Sequence, residues 1–142
     1  MALSQVTVFI ENKEGRLEKV TEILKKNAID IISLSLAESV DFGILRFIVS
    51  EPEKTRQVLK DAGSTVKLNH VVGVEVNNKP GALFDLLTLL HDFNIEYMYV
   101  LNADEKASMI LRIKDYEDAE ALLNTKGYKI LSQKDLARGR SL

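Results

Sequence analysis

A short pattern, Asn-Lys-x-Gly-x-Leu, occurs at residues 12–17 and again at residues 78–83, and it combines groups that could hold a small charged ligand. The asparagine side chain can both donate and accept hydrogen bonds, and the glycine, which has no Cβ, lets another group approach the backbone. If a helix begins here, its first N–H groups and its dipole attract a carboxylate. The pattern therefore predicts a turn suited to an anion such as a carboxylate, although the asparagine could instead only cap the helix.

A ligand that carries an ammonium group beside its carboxylate would also need oxygen acceptors, and further candidates follow each turn. Asp30 and Glu96 occupy matching positions and could accept from the ammonium, or could simply face solvent. Tyr97 and Tyr99 could line a pocket, since tyrosine has an apolar ring and a polar tip, or could be half-exposed strand residues. The predicted ligand-binding residues are Asn12, Lys13, Glu14, Gly15, Arg16, Leu17, Asp30, Asn78, Lys79, Pro80, Gly81, Ala82, Leu83, Glu96, Tyr97 and Tyr99.

The two turns differ at two positions, so equal binding is not expected. Glu14 in the first turn stands where the second has Pro80, and Arg16 stands where the second has Ala82. Glu14 would repel a carboxylate unless its side chain turns away or meets the ammonium group. Arg16 could offset that charge or could be a solvated helix residue. Pro80 is expected in the first turn of a helix, where its missing N–H has no partner anyway.

Both turns belong to an internal repeat that covers most of the chain. When the sequence is shifted by 66 residues, residues 8–47 align with residues 74–113 without a gap. A shift of 64 then aligns Gly63 with Gly127. The chain is therefore predicted to contain two copies of one structural unit. Eleven of the 40 positions aligned without a gap are identical in the two copies: Val8, Asn12, Lys13, Gly15, Leu17, Leu24, Ile29, Ala37, Ile44, Leu45 and Arg46, each with its partner 66 residues later.

Each copy has the same predicted order of strands and helices. Alternating apolar residues predict a strand before the turn, and apolar residues three and four apart predict a helix after it. Two strands, a second helix that ends at Gly63 or Gly127, and a final strand follow. This β-α-β-β-α-β order is ferredoxin-like. We predict an α+β fold of two ferredoxin-like copies, at residues 1–69 and 70–134, each an antiparallel sheet with both helices on one face, followed by a polar tail at residues 135–142.

Two apolar features go beyond what one such unit needs. The first helix of copy two has extra apolar residues such as Phe84, which predict either a larger core or an interface with copy one or a second subunit. On the third strand of each copy, Arg46 and Arg112 should lie on the sheet face without helices. An apolar open face indicates a contact with another sheet or subunit, and this face is expected to include Phe9, Ile44 and Ile48.

Composition narrows the classes of function. The chain has 142 residues, of which 46% are hydrophobic and 28% charged, as in globular proteins. Its formal net charge of −2 weighs against a nucleic-acid surface, which usually carries a basic excess. The absence of cysteine removes disulfides, thiolate metal sites and cysteine nucleophiles. The two histidines have no repeated partner and no catalytic or metal-ligand motif is present, so we predict no catalytic residue, no metal and no cofactor.

Neither a signal peptide nor a membrane-spanning segment is predicted from the sequence. No basic segment precedes the first apolar residues, and a charge arrives at Glu11, so this stretch is typical of a strand rather than a signal peptide. No apolar run approaches the roughly 20 residues of a membrane-spanning helix. We therefore expect a cytoplasmic protein without membrane contact.

In this context the turn resembles that of the ACT domain, a small ligand-sensing module of amino-acid metabolism. Copy two carries "NNKPGALFDLL" and then "NIEYMYV", whereas copy one departs from the pattern with "ENKEGRLEKV" and "AIDIISLSL". Across both copies, the chain resembles a stand-alone tandem ACT protein. The resemblance implies a non-catalytic regulatory protein that binds a free amino acid, or a similar small carboxylate, where the turn of one unit faces another. It also implies a homodimer and a regulated enzyme partner.

Two other functions stay open at this point. A structural or assembly module without a small-molecule ligand would use the same fold. A tandem pair of RNA-recognition domains shares the topology, but it needs aromatic residues on the open sheet face of both copies. Copy one offers "FGILRFIV" and copy two only "SMILRI", so RNA binding is the less favoured of the two.

Overall fold

The chain forms two compact units in a computed structural model that describes residues 3–39 and 41–136. The N-terminal unit comprises Ser4–Asn69 together with Leu136, and the C-terminal unit comprises His70–Asp135 together with Leu3. The predicted order of elements occurs twice, and the α+β class with two ferredoxin-like copies is confirmed.

The bounds of the elements follow the repeat. The first copy contains β1 (Leu3–Glu11), α1 (Arg16–Lys26), β2 (Ile31–Glu38), β3 (Phe42–Val49), α2 (Pro52–Asp61) and the first part of β4 (Thr65–Asn77). The second contains the rest of β4, then α3 (Ala82–Leu89), β5 (Ile95–Ala103), β6 (Lys106–Ile113), α4 (Tyr116–Thr125), β7 (Lys129–Leu131) and α5 (Gln133–Leu136). The two strands expected on either side of residue 69 are thus one continuous strand. Of the expected tail, Asp135 and Leu136 complete α5, and residues 137–142, like Val40 of the first hairpin, lie outside the described residues.

The N-terminal unit is an antiparallel sheet in the order β2-β3-β1-β4, with α1 and α2 on one face. In the register of β1 and β3, Val6 lies opposite Phe47 and Val8 opposite Leu45, and all four side chains are fully buried. Because alternate residues of a strand point to the same face, these positions form one apolar surface. Residues of the two helices complete this core: Val20, Leu24 and Leu59.

The C-terminal unit repeats this arrangement with β6 and β7 on opposite sides of β4. Val72 lies opposite Leu111 and Val74 opposite Met109 in the pairing of β4 with β6. These residues form the apolar face of the sheet, and burial of such a face is the main stabilising term of a small domain. Helix residues again close the core: Leu86, Leu90, Ala119 and Leu123.

The opposite sheet face carries the arginines, as the alternation predicts. Arg46 and Ile44 lie on the same face of β3, whereas Leu45 between them points into the core. Ile44 lies opposite Phe9 in the pairing of β1 with β3. Arg112 lies opposite Tyr97 in the pairing of β5 with β6. The tyrosines of β5 therefore lie on the sheet face that the helices do not cover.

The helices are short and end at defined residues. The N–H groups of Gly63 and Ser64 donate to carbonyls in the last turn of α2, each at 3.0 Å. Gly127 and Tyr128 repeat this pattern after α4, at 3.1 and 3.0 Å. These bonds satisfy carbonyls that a helix end leaves without a partner, so the predicted glycine stops are confirmed. Among the described residues, no helix has both the length and the apolar character that crossing a membrane requires.

Candidate functional site

The repeated turn has the same hydrogen bonding in both units. In the N-terminal unit the N–H of Lys13 donates to the carbonyl of Glu11 at 2.8 Å. The N–H of Arg16 donates to the carbonyl of Lys13 at 3.4 Å, and that of Lys19 to the carbonyl of Gly15 at 3.1 Å. The three matching bonds of the C-terminal unit measure 3.0, 3.2 and 3.0 Å. Both turns therefore lead from strand to helix by the same path.

Glycine is required in both turns by its backbone conformation. Gly15 and Gly81 immediately precede α1 and α3 with φ of 80° and 90°. This left-handed region is unfavourable for residues that carry a Cβ. A Cβ added at either position would meet nothing within 4 Å, so no neighbouring atom of the chain demands the small size of glycine.

Two local expectations about the turn are wrong. Neither Asn12 nor Asn78 caps its helix, because the N-cap residue is the glycine in both cases and no side chain caps it. Asn78 instead joins the turn to the β5–β6 hairpin, since its Nδ2 donates to the carbonyl of Asp104 at 2.7 Å. Pro80 is not in the first helical turn, because α3 begins at Ala82.

Each unit has a cleft of about 350 Å³ at the end of its first strand, bordered by the start of its first helix and by the glycine turn after its second helix. We call these the N-cleft and the C-cleft. The N-cleft is lined by Phe9, Ile10, Glu11, Arg16, Lys19, Val20, Ile23, Ala62, Gly63, Ser64 and Thr65. The C-cleft is lined by Glu75, Val76, Asn77, Lys79, Ala82, Asp85, Lys106, Lys126, Gly127, Tyr128 and Lys129.

The two clefts are equivalent under the repeat. Nine of the eleven residues in each lining occupy matching positions, five pairs at a shift of 66 residues and four at a shift of 64. The repeat therefore builds the same cleft twice. The wall after the second helix was missed at the level of sequence, where Gly63 and Gly127 were interpreted only as helix ends. Their alignment in the two copies was the signal that could have revealed it.

Part of the predicted site lines these clefts. Arg16 lies in the N-cleft, and Lys79 and Ala82 lie in the C-cleft. The other turn residues neighbour the linings without belonging to them, and their role as ligand contacts stays a prediction: Asn12, Lys13, Glu14, Gly15, Leu17, Asn78, Pro80, Gly81 and Leu83.

Four predicted contacts lie outside both clefts. Asp30 is an exposed residue of the connection before β2. The Oε2 atom of Glu96 lies 3.3 Å from Nε of Arg112. Tyr97 and Tyr99 lie on the sheet face that the helices do not cover. Their role in binding stays a prediction, and the geometry of the clefts gives it no support.

The clefts differ in charge. Glu11 of the N-cleft has Nζ of Lys13 at 3.0 Å and Nη2 of Arg16 at 3.6 Å. The hydrogen bond and charge of Lys13, with the charge of Arg16, lower the pKa of the Glu11 carboxyl. In the C-cleft the matching residue is Asn77, whose Oδ1 accepts from Nζ of Lys106 at 2.7 Å. The C-cleft therefore has a neutral amide at the position where the N-cleft has the carboxylate that pairs with Lys13 and Arg16.

Helix α3 carries apolar side chains that remain exposed. Leu86 and Leu90 are 0% and 1% exposed and belong to the core, whereas Phe84 is 72% exposed and Leu83 is 43% exposed. The extra apolar residue Phe84 therefore does not enlarge the core, whereas Phe93, which stands where copy one has an asparagine, packs against it. An interface with another surface stays a prediction.

A partly buried carboxyl group, that of Glu120, lies in the C-terminal unit and shares a cavity with Tyr128 and Lys129, which also line the C-cleft. The Oε2 atom of Glu120 is buried and has no hydrogen-bond partner within the described part of the chain. Burial raises the pKa of Glu120, with the charge of Glu117 acting in the same direction and that of His70 opposing it. Since the folded pKa exceeds the unfolded value of 4.5, the stabilising effect of this proton is fully present below pH 4.5 and is lost as the pH rises through the folded pKa.

We expect Glu120→Gln to raise the free energy of unfolding at neutral pH, because the amide avoids the desolvation of a buried charge. Urea unfolding at about pH 7 and about pH 3.5 should show a gain that fades in acid, since the wild-type carboxyl is then protonated. Asp118→Asn removes the same charge from an exposed position of the same helix and serves as the control. An equal gain at both pH values would contradict this account of Glu120.

Comparison with known proteins gives a consistent result. A family model described as an ACT domain pair matches residues 1–139. A crystal structure of a protein from Bacteroides thetaiotaomicron is similar, with 39% identity, a TM-score of 0.91 and 97% of each chain covered. The ligand-free regulatory subunit of aspartate kinase from Thermus thermophilus has a TM-score of 0.66 at 15% identity, covering 89% of this chain and 94% of that one, which shows a shared fold. No curated protein matches the sequence.

Proposed function

Because the chain belongs to the family of ACT domain pairs, we propose that it is a non-catalytic regulatory protein that binds a free amino acid at its duplicated turns. The ACT pair is a regulatory type of domain. The observation that carries the proposal is the pair of equivalent clefts, each bordered by a left-handed glycine turn and the start of a helix. The expectation that the turn of one unit faces another across the ligand stays a prediction.

The clefts offer partners for both charged groups of an amino acid. The N–H groups of Arg16 and Ala82, the first residues of α1 and α3, already donate to carbonyls of the preceding turn, at 3.4 and 3.2 Å. The next N–H groups of each helix have no acceptor inside the helix, and together with the helix dipole they favour a carboxylate. Carboxylates of the linings can accept from the ammonium group: Glu11 in the N-cleft, and Glu75 and Asp85 in the C-cleft. A volume of about 350 Å³ falls at the small end of ligand pockets, which span about 300–1,000 Å³.

The output of binding is proposed to be a changed contact with an enzyme in the cytoplasm. An amino acid can act in this way only if it binds one arrangement of the protein more tightly than another. An enzyme is proposed as partner by analogy with the regulatory subunits of aspartate kinase that share the fold. This part of the proposal rests on fold-level analogy.

The alternative function is an assembly module without a small-molecule ligand. The exposed side chain of Phe84 favours it, because a large apolar group in water is typical of a surface that another molecule covers. The predicted homodimer would be compatible with either function. Phe84→Ser should lower the molar mass measured by light scattering if a second copy covers this residue.

A thermal-shift screen against the twenty amino acids tests the proposed function. A ligand that binds the folded but not the unfolded protein, at a concentration of 100 times its Kd, adds about 2.7 kcal/mol to the free energy of unfolding. This gain corresponds to a rise in Tm of several degrees. We expect at least one amino acid to produce such a rise. A flat response to all twenty, together with a drop in molar mass for Phe84→Ser, would contradict ligand sensing and favour assembly.

A further inference from the structure

The C-cleft concentrates positive charge on a chain whose net charge is −2. Four lysines line it against two carboxylates, which leaves an excess of two positive charges. Composition does not explain this excess, because acidic residues outnumber basic ones in the whole chain by 21 to 19. The lysines are Lys79, Lys106, Lys126 and Lys129, and the carboxylates are Glu75 and Asp85.

These lysines come from three separate parts of the unit. Lys79 lies in the turn before α3, Lys106 begins β6, and Lys126 and Lys129 flank the glycine turn after α4. Within residues 3–39 and 41–136, no ion pair involves Lys79, Lys126 or Lys129, and Lys106 donates to the neutral amide of Asn77. Like charges around one opening repel one another, and a bound anion relieves that repulsion.

The first copy shows what the same cleft is like with less of this charge. It has Ala62 and Thr65 where copy two has Lys126 and Lys129. The lysine of its turn, Lys13, already has the carboxylate of Glu11 at 3.0 Å. The larger positive excess of the C-cleft is therefore a property of copy two and not of the fold.

The N-cleft has a different character. Its lining has one carboxylate, Glu11, and two cations, Arg16 and Lys19, which leave an excess of one positive charge. The carboxylate of Glu11 lies 3.6 Å from Nη2 of Arg16. Apolar side chains provide a larger share of its wall, which suits an apolar ligand side chain because contact with them removes apolar surface from water. These residues are Ile10, Val20 and Ile23.

We propose that the two clefts select ligands by charge. The C-cleft takes a small anion, either an amino acid with a second carboxylate in its side chain or a compound that carries phosphate. The N-cleft takes a neutral amino acid with an apolar side chain. This inference rests on the proposed function, because it assigns ligand classes to the two clefts in which that function places the amino acids.

Calorimetric titration of the full chain tests this selection with three probes: aspartate, inorganic phosphate and leucine. We expect aspartate or phosphate to bind, and the one that binds identifies the source of the anion. Its affinity should fall as salt rises, because ions screen the attraction between exposed charges. Leucine should bind with little salt dependence and should not compete with the anion.

The double variant Lys126→Ala with Lys129→Thr gives the C-cleft the residues of the N-cleft at these two positions. Both side chains are exposed, so the fold should survive, which circular dichroism would verify. We expect the affinity for the anion to fall at least tenfold and that for leucine to be unchanged. The matched variant Lys54→Ala with Lys60→Thr removes two lysines from the exposed surface of α2 and should leave both affinities unchanged.

The outcomes separate this inference from the function on which it rests. Leucine binding without binding of aspartate or phosphate, or anion binding that the double variant leaves intact, would overturn charge selection and leave amino-acid sensing standing. Phosphate binding without binding of any amino acid would support anion binding in the C-cleft and overturn amino-acid sensing. Binding of none of the probes, in a protein that also fails the screen of twenty amino acids, would overturn both.

Discussion

Leu86→Ala is expected to lower the free energy of unfolding by about 2–5 kcal/mol, the usual range for removing a buried leucine side chain. Leu86 is fully buried, and it belongs to the core formed by α3 with strand residues such as Val74 and Leu111. It lies one helical turn after Gly81, so it anchors the helix that borders the C-cleft. The cost combines lost burial of apolar surface with the cavity that remains.

The same helix provides a matched control for this prediction. Leu83 is 43% exposed and lies three residues before Leu86, and Leu83→Ala makes the same chemical change. Its effect should stay below about 1 kcal/mol, as for most surface substitutions. Urea unfolding of the two variants measures the difference, and equal losses would contradict the assigned burial of α3.

Gly81→Val is expected to cost at least about 1–2 kcal/mol, because valine must adopt the left-handed backbone conformation of this turn. A β-branched residue is particularly unfavourable there. Since α3 begins at the next residue, relief of this strain would displace the start of the helix and the wall of the C-cleft. We therefore also expect ligand binding in the C-cleft to be lost while binding in the N-cleft is retained.

Two further variants identify the cause of that loss. Gly81→Asn should be tolerated better than Gly81→Val, because asparagine adopts positive φ more readily and a Cβ at this position meets no other atom within 4 Å. Gly15→Val places the same strain in the other turn and should affect the N-cleft instead. If asparagine proved as damaging as valine, conformation would not be the reason for the glycine. Thermal unfolding and titration of each variant would decide this.

The fold could be predicted because local patterns in the two copies agree. The alternation around Val8 and Val74 predicts strands, and both residues prove fully buried in their cores. The spacing that leads to Leu24 and Leu90 predicts helices, and these leucines are 0% and 1% exposed. Because the same pattern occurs twice in the same order, each copy supports the elements predicted for the other, and the order of elements followed from the sequence.

The site was predicted less completely, because tertiary structure decides which segments meet. The turn before each helix was predicted, but the sequence could not show that the turn after the second helix, at Gly63 or Gly127, closes the same cleft. The sequence predicts that Tyr97 and Tyr99 share one face of their strand, but which face of the sheet this is depends on their pairing with β6. A glycine at position 81 of the sequence likewise does not show whether the backbone needs a positive φ there or whether a side chain would have no room.

The central claim is that the duplicated clefts bind amino acids, and an NMR titration of the ¹⁵N-labelled protein tests it most directly. The amide signals of Gly15 and Gly63 report on the N-cleft, and those of Gly81 and Gly127 report on the C-cleft. Addition of an amino acid that raises the Tm should shift one of these pairs in a saturable way. Saturable shifts confined to other residues, such as Tyr97, with all four glycine signals unmoved, would contradict the claim.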